Sequence, residues 1–218
     1  MLSTSIYFTS MKAIQQGTTK VAAILFVLFT VSPAFSQRFQ ISPFVGYETG
    51  TRAYTSAGYL RIGDGVDYGG SLDMRIGHGL FGEFSYSHLG THLDLEGTND
   101  LERICDLAVD YYSLGALKEF RSDEKNSPYG LLTLGLVNYR PISTTLSSEN
   151  KMHISMGLGM RFKASEKAGF RLQTRVMLPY FLAGSYFGGG NDDEAYGIKS
   201  GFRAVQVDFT AAFVYSIK

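Results

Sequence analysis

Polar and apolar residues alternate with a period of two along much of this chain. In Val66–Gly77, the residues Val66, Tyr68, Gly70, Leu72, Met74 and Ile76 share one face, and Asp67, Gly69, Ser71, Asp73 and Arg75 share the other. In Met152–Lys163, Met152, Ile154, Met156, Leu158, Met160 and Phe162 oppose His153, Ser155, Gly157, Gly159, Arg161 and Lys163. In the last segment, Val205, Val207, Phe209, Ala211, Phe213, Tyr215 and Ile217 oppose Gln206, Asp208, Thr210, Ala212 and Ser216. Successive side chains of a strand point to opposite faces, so each segment predicts a strand with one greasy and one polar face. Five weaker segments bring the set to eight. Arg38–Glu48 puts Phe39, Ile41, Val45 and Tyr47 together. Leu80–Ser87 sets Leu80, Phe84 and Tyr86 against Glu83, Ser85 and Ser87. Phe170–Leu178 sets Phe170, Leu172, Val176 and Leu178 against Arg171, Gln173 and Arg175. Asp106–Lys118 and Tyr129–Tyr139 are strand-like with ambiguous faces, and a bulge near Tyr111 and Tyr112 is the expected cause in the first.

The connections alternate in length. Gly77–Gly79, Arg121–Ser127 and Ser165–Gly169 are short, while 50–65, 88–103, 140–151 and 179–202 are mostly longer. With the N-terminus on the periplasmic side, that is the short-turn, long-loop alternation of outer-membrane barrels. Aromatic residues fall near predicted strand ends: Tyr47, Tyr86, Tyr139, Phe162, Phe170 and Tyr215.

Residues 11–36 have a different character. Lys12 and Lys20 precede an apolar run, Val21–Val31, and the small residues Ala34 and Ser36 stand before Gln37. This is the layout of a cleaved secretory signal. The alternative is an anchoring helix, but the run would rise only ~16 Å against a ~30 Å hydrocarbon core. Residues 1–10 carry no charge, and Met11 is a second candidate start. The expected domains are thus a signal peptide over 1–36 and a barrel over 37–218. Beyond the signal the chain has no apolar stretch long enough for a helical span. If it crosses a membrane, only a closed barrel satisfies every backbone group.

Charge sharpens the picture. Lys+Arg and Asp+Glu number 20 each, which removes the basic footprint of a nucleic-acid binder. Gly at 25 and aromatics at 14% suit strands and turns. The charges lie mainly on the polar faces, where Arg75, Arg161, Lys163, Arg171 and Arg175 meet Asp67, Asp73, Glu83 and Asp208. In a soluble barrel those faces would be a costly ionic core. An inverted, lipocalin-like barrel keeps the same period, with Tyr, Met and Phe inside. Loop lengths and aromatic placement favour the membrane version.

The mature chain resembles the small outer-membrane β-barrels of Gram-negative bacteria (porin family, OmpX/OmpW-like), particularly those of Bacteroidota. The residues that carry the resemblance are the signal ending AFSQ, the opening strand FQISPFVGY, the strands MGLGMRF and GFRLQTR, and the closing strand VDFTAAFVYSIK. The resemblance covers nearly all of 37–218 and implies fold and location rather than activity. Such barrels often end on an aromatic residue; this chain ends Tyr215-Ser216-Ile217-Lys218. Pro43 removes a ladder donor inside the first strand, so it is expected near the rim or at a bulge.

Few residues suggest chemistry. His153-Ile154-Ser155 faintly resembles the His-x-Ser of lipid A deacylase barrels, but both residues share the polar face with Arg161, and Met156 replaces the Asn that usually follows. His88 and His92 are four apart; on a strand that is ~13 Å, too far to share one ion. Asn191-Asp192-Asp193-Glu194 offers carboxylates to calcium, though a glycine-acid run more often forms a solvated loop. Tyr54, Tyr59, Tyr180, Tyr186, Phe187 and Tyr196 in the long loops suit recognition. Cys105, the lone cysteine, is expected near the extracellular rim and inert.

The sequence therefore predicts an all-β, eight-stranded antiparallel up-and-down transmembrane barrel in the outer membrane, with both termini in the periplasm. An eight-stranded interior is filled by its own side chains, so a balanced lumen charge cluster should close it. The expected role is structural or interactive, through extracellular loops. Alternatives are a narrow channel for small solutes or ions, a lipid A-modifying enzyme, or an accessory barrel of a secretion machine. No catalytic residues, metal or cofactor are expected. The expected partners are outer-membrane lipid and lipopolysaccharide and an extracellular or periplasmic protein, with the chain a monomer.

Overall fold

A computed structural model of the chain describes residues 39–54, 59–96, 101–142, 147–180, 186–187, 196–197 and 205–217. The expected signal peptide lies outside the described residues. Among the described residues, twelve strands run in chain order: β1 Phe39–Glu48, β2 Thr51–Tyr54, β3 Tyr59–Ile62, β4 Gly65–Gly77, β5 Leu80–Glu96, β6 Leu101–Glu119, β7 Asn126–Pro141, β8 Glu149–Lys163, β9 Ala168–Tyr180, β10 Tyr186–Phe187, β11 Tyr196–Gly197 and β12 Gln206–Ile217. Eight of them are staves. They pair antiparallel in the order β5, β4, β1, β12, β9, β8, β7, β6, and β6 pairs back onto β5, so the sheet closes. The predicted fold class is the observed one.

One end of the barrel carries tight connections. His78 and Gly79 join β4 to β5, with Gly79 at φ 63°, where only glycine is unstrained. A register shift between Arg75 and Gly77 feeds that turn. The turn after β6 is tied by Ser127 Oγ donating to the Arg121 carbonyl at 2.6 Å. We call this the turn end, and the opposite one the loop end.

Burial is inside-out relative to a soluble protein. Outward-facing Leu134 is 58% exposed and Leu158 69%, while inward-facing Asp73 and Asp208 are 0% and Arg161 3%. Water would not leave such an apolar exterior unpartnered. A bilayer solvates it, and the closed sheet leaves no open edge in lipid. The chain is thus a membrane barrel with apolar side chains outside, not a lipocalin-like one. Phe120, Phe162, Phe170, Phe213 and Tyr215 lie outward near the turn end, and Tyr47, Tyr68, Tyr86 and Tyr112 lie outward nearer the loop end. Tyr139, expected among them, is instead fully buried inside.

Several sequence expectations need correction. β5 and β6 are far longer than predicted, so most of 88–103 is strand rather than loop. The connection 50–65 contains the hairpin β2–β3, and β3 pairs with Leu93–Glu96 of β5. This adds a sheet extension to the loop end. Pairing is regular through Tyr111 and Tyr112; the register shift in that ladder falls between Leu93 and Asp94. The faces of β6 and β7 are ambiguous for another reason. Leu107, Val109, Leu117, Leu131 and Val137 point inward and are buried, while Leu114, Leu132, Leu134 and Leu136 point outward. Both faces are apolar, so the period vanishes from the sequence. Pro43 sits mid-strand rather than at a rim. The β1–β12 ladder passes over Ser42 and Pro43 and resumes in the same register at Phe44.

Candidate functional site

Among the described residues, buried charged side chains converge in the interior of the barrel. They are sorted along its axis. At the turn end, Arg161 of β8 donates to Glu119 Oε1 at 2.6 Å and to Asp73 Oδ2 at 3.3 Å. Beside it, Arg171 of β9 donates to Glu83 Oε2 at 2.8 Å and Ser71 Oγ at 3.0 Å, and lies 3.5 Å from Asp73. Both guanidiniums also lie over aromatic faces, Arg161 over Phe81 at 5.0 Å and Arg171 over Tyr129 at 5.8 Å. A cation above a π-face adds attraction without another anion. Planar guanidinium is suited to this work, since its fixed fork serves two carboxylates at once.

Further in, Tyr129 donates to Gln173 at 2.9 Å, the hydroxyls of Thr133 and Ser155 bond at 2.5 Å, and Ser113 bonds His153 Nε2 at 3.0 Å. Arg175 pairs with Asp208 through both Nε and Nη2 and packs over Phe44 at 5.6 Å. The single Tyr111 hydroxyl proton is shared between Glu48 Oε1 at 3.0 Å and Gln206 Oε1 at 2.8 Å, and Gln206 Nε2 donates to Glu48 at 2.6 Å. Asp67 is buried with no hydrogen bond from protein to either oxygen. Small inward residues make room for these groups. A Cβ on Gly157 would meet Arg175 at 2.9 Å, and one on Gly159 would meet the Tyr129 hydroxyl at 2.3 Å.

The loop end closes differently. Leu60 and Ile62 of β3 join Leu89, Leu93, Leu107, Val109, Val137, Met177 and the rings of Tyr111 and Tyr139 in one buried cluster. The hairpin and the lengthened β5 and β6 thus cap the lumen with hydrocarbon.

Of the predicted lumen cluster, Asp67, Asp73, Glu83, Arg161, Arg171, Arg175 and Asp208 are all buried inside. Arg75 and Lys163 are not in the lattice. Arg75 is exposed over Phe81 at 5.3 Å, and Lys163 Nζ donates to the Ser122 carbonyl. Both line a cavity of about 280 Å³ at the turn-end mouth, whose wall also includes Arg161, Glu119, Glu166 and Lys167. Carboxyl side chains outnumber guanidiniums in the buried lattice. Glu48, Asp67, Asp73, Glu83, Glu119 and Asp208 face only Arg161, Arg171 and Arg175. Glu48 and Glu119 belong to the lattice yet went unassigned. Extending the alternation of β6 one residue past Lys118 places Glu119 inward.

The remaining candidates resolve individually. His153 and Ser155 are both inward and buried, each bonded to a different hydroxyl rather than to the other. His88 and His92 lie on β5, and each has its own carboxylate: Asp110 at 2.7 Å and Asp94 at 3.3 Å. No group of three metal-ligating side chains occurs among the described residues. Asp110 accepts from Tyr86 at 2.9 Å and pairs with Arg140 at 3.2 Å on the outer wall. The cross-strand partners Asp110, Asn138 and Asn150 mark the upper edge of the apolar band on β6, β7 and β8. Cys105 is buried in the loop-end cluster. Asn191–Glu194 lies outside the described residues, as do the side chains of Tyr54, Tyr59, Tyr180, Tyr186, Phe187 and Tyr196.

No family model and no curated protein sequence matches the chain. Solved structures do. The chain is similar to the outer membrane protein OprG of Pseudomonas aeruginosa, with TM-score 0.59 and 13% identity over 83% of this chain and 96% of that one. It is similar to Neisserial surface protein A, with TM-score 0.56 and 13% identity over 82% and 97%. A third, the outer membrane protein AlkL in DMPC lipid bilayers, gives 0.54 and 11% over 86% and 93%. At these identities the likeness is one of fold. It is the fold of small outer-membrane barrels, and the apolar exterior described above fits that membrane.

Proposed function

We propose that the chain is a closed scaffold barrel of the outer membrane that acts through its loop end rather than through its lumen. The observation that carries this is the interior itself: an ionic lattice, a hydroxyl layer and an apolar cap succeed one another along the axis, all buried. A conduit needs a continuous polar path, and the capping cluster of Leu60, Leu93, Leu107 and Tyr139 interrupts it. The loop end offers the contact surface. There β2, β3, β5 and β6 carry the sheet past the apolar band, and β2 pairs only with β3 among the described residues, leaving an edge to which a partner strand can add. Export through cleavage before Gln37 belongs to the same reading. So do contact with lipid and lipopolysaccharide, a monomeric state and the lack of a catalytic role.

Planar-bilayer recording tests it. The purified barrel should give no reproducible open-channel steps, and Leu93→Ala with Leu107→Ala should introduce them by thinning the cap. Steady steps in the unaltered protein that change with Arg161→Ala would establish the narrow channel instead.

A further inference from the structure

The turn-end cavity is absorbed by neither the lattice nor the loops. We propose that it is a binding site for a small oxyanion, a phosphate or carboxylate group entering from the turn side, held by Arg75 and Lys163 with Arg161 as its floor. This does not depend on what the loops contact.

The charges are already in place. Arg75 has no ion pair among those described; its guanidinium lies over the Phe81 ring. The bond that Lys163 makes is to a neutral carbonyl, that of Ser122, so its charge is not compensated by it. Lys167 adds a third cation at the rim, against Glu166. Arg161 is buried, and its Nη1 and Nη2 are committed to Glu119 and Asp73, but its Nε makes no hydrogen bond to protein. Clamped in this way, the guanidinium is a fixed floor to the cavity, while Arg75 and Lys163 supply the donors that an arriving anion reaches.

The rim is equally fixed. Ser216 N donates to the Lys167 carbonyl at 2.7 Å, Ala164 and Ser165 N both donate to the Ala168 carbonyl, and Lys163 N donates to the Lys125 carbonyl at 2.8 Å. The cavity, at about 280 Å³, stands at the small end of ligand pockets, which suits one anionic group rather than a long chain. Deeper in, six carboxyl side chains share three guanidiniums. Beneath the mouth the lumen is filled by its own buried side chains, which makes the cavity a terminus and not an entrance.

The test uses the mature barrel, isotope-labelled and refolded in a zwitterionic detergent. It is titrated separately with inorganic phosphate and with acetate at constant ionic strength, following backbone amide shifts. Saturable shifts at Gly169, Ser122 and Arg75 are expected for one anion. The other should bind more weakly, and which of the two saturates first tells a phosphate site from a carboxylate site. Arg75→Gln with Lys163→Gln should weaken binding at least about tenfold, the scale of one charge-assisted hydrogen bond. Arg52→Gln, at the loop end, should leave it unchanged. Shifts that grow linearly with both anions, or an affinity unmoved by the double substitution, would overturn the site. Should the double variant not fold, reductive methylation of the unaltered protein decides. Lys163 should be protected by the saturating anion while exposed Lys125 is not, and equal modification of Lys163 with and without anion would refute the proposal.

Discussion

The two ends of the lumen fill the same eight-stranded tube by opposite chemistry. At the turn end, guanidiniums and carboxyls interlock below an open cavity. At the loop end, Leu, Val and Tyr side chains form a cap that excludes water. The ionic lattice is specific but marginal. Buried ion pairs often return little net stability, because desolvation consumes most of the Coulombic gain. The cap is additive, each apolar side chain contributing by the area it withdraws from solvent. The lattice should therefore be brittle toward loss of one partner and tolerant of losing both. The cap should weaken in proportion to what is removed.

Arg171 offers the largest break. Arg171→Ala strands Glu83 and weakens the hold on Asp73 and Ser71. Urea unfolding of the refolded barrel should show a loss of about 3–5 kcal/mol, the cost of leaving a buried charge unpaired. Arg171→Met combined with Glu83→Leu should recover most of that loss, since Asp73 keeps Arg161. If the double variant were as unstable as the single one, the lattice would be contributing net stability and the contrast would collapse. Leu107→Ala in the cap should cost about 2–4 kcal/mol, transfer plus cavity, with no single compensating change. A cost below about 1 kcal/mol would mean the cap is loosely packed and leaks.

How much of this contrast was legible in the sequence follows from which faces differ. β4, β8 and β12 set polar lumen against apolar lipid, so Asp67, Asp73, Arg161 and Asp208 could be placed inward from period alone. β6 and β7 line the lumen with Leu107, Val109, Leu131 and Val137 and meet lipid with Leu114 and Leu134. A greasy residue then carries no information about side, and the apolar cap could not be seen. For Arg75 and Lys163, alternation gives a face but not a depth. Period reports direction, whereas position along the axis depends on stagger between strands, which only the register supplies. The hairpin β2–β3 was lost within a presumed loop because its four-residue strands are too short to show a period. In His153-Ile154-Ser155 the period puts His153 and Ser155 on the polar face, and they bond the lumen hydroxyls of Ser113 and Thr133.

The smallest expected effect isolates environment from geometry. Arg140 and Asp110 stand 3.2 Å apart on the outer wall, and Arg161 and Asp73 stand 3.3 Å apart in the lumen. The residue types and spacing match; the surroundings do not. Arg140 is 55% exposed, and Asp110 retains Tyr86 and His88 if Arg140 is lost. Asp110 is itself only 7% exposed, but with those two partners kept Arg140→Ala should cost about 1 kcal/mol or less, and that cost should fade as salt is added. Arg161→Ala takes from Glu119 its guanidinium while Asp73 keeps Arg171 at 3.5 Å, and added salt should recover less of its loss than on the outer wall, because both carboxyl side chains are buried. If both variants lost the same stability and responded alike to salt, the lumen would be open to bulk electrolyte, and the division between a sealed interior and a solvated wall would fail.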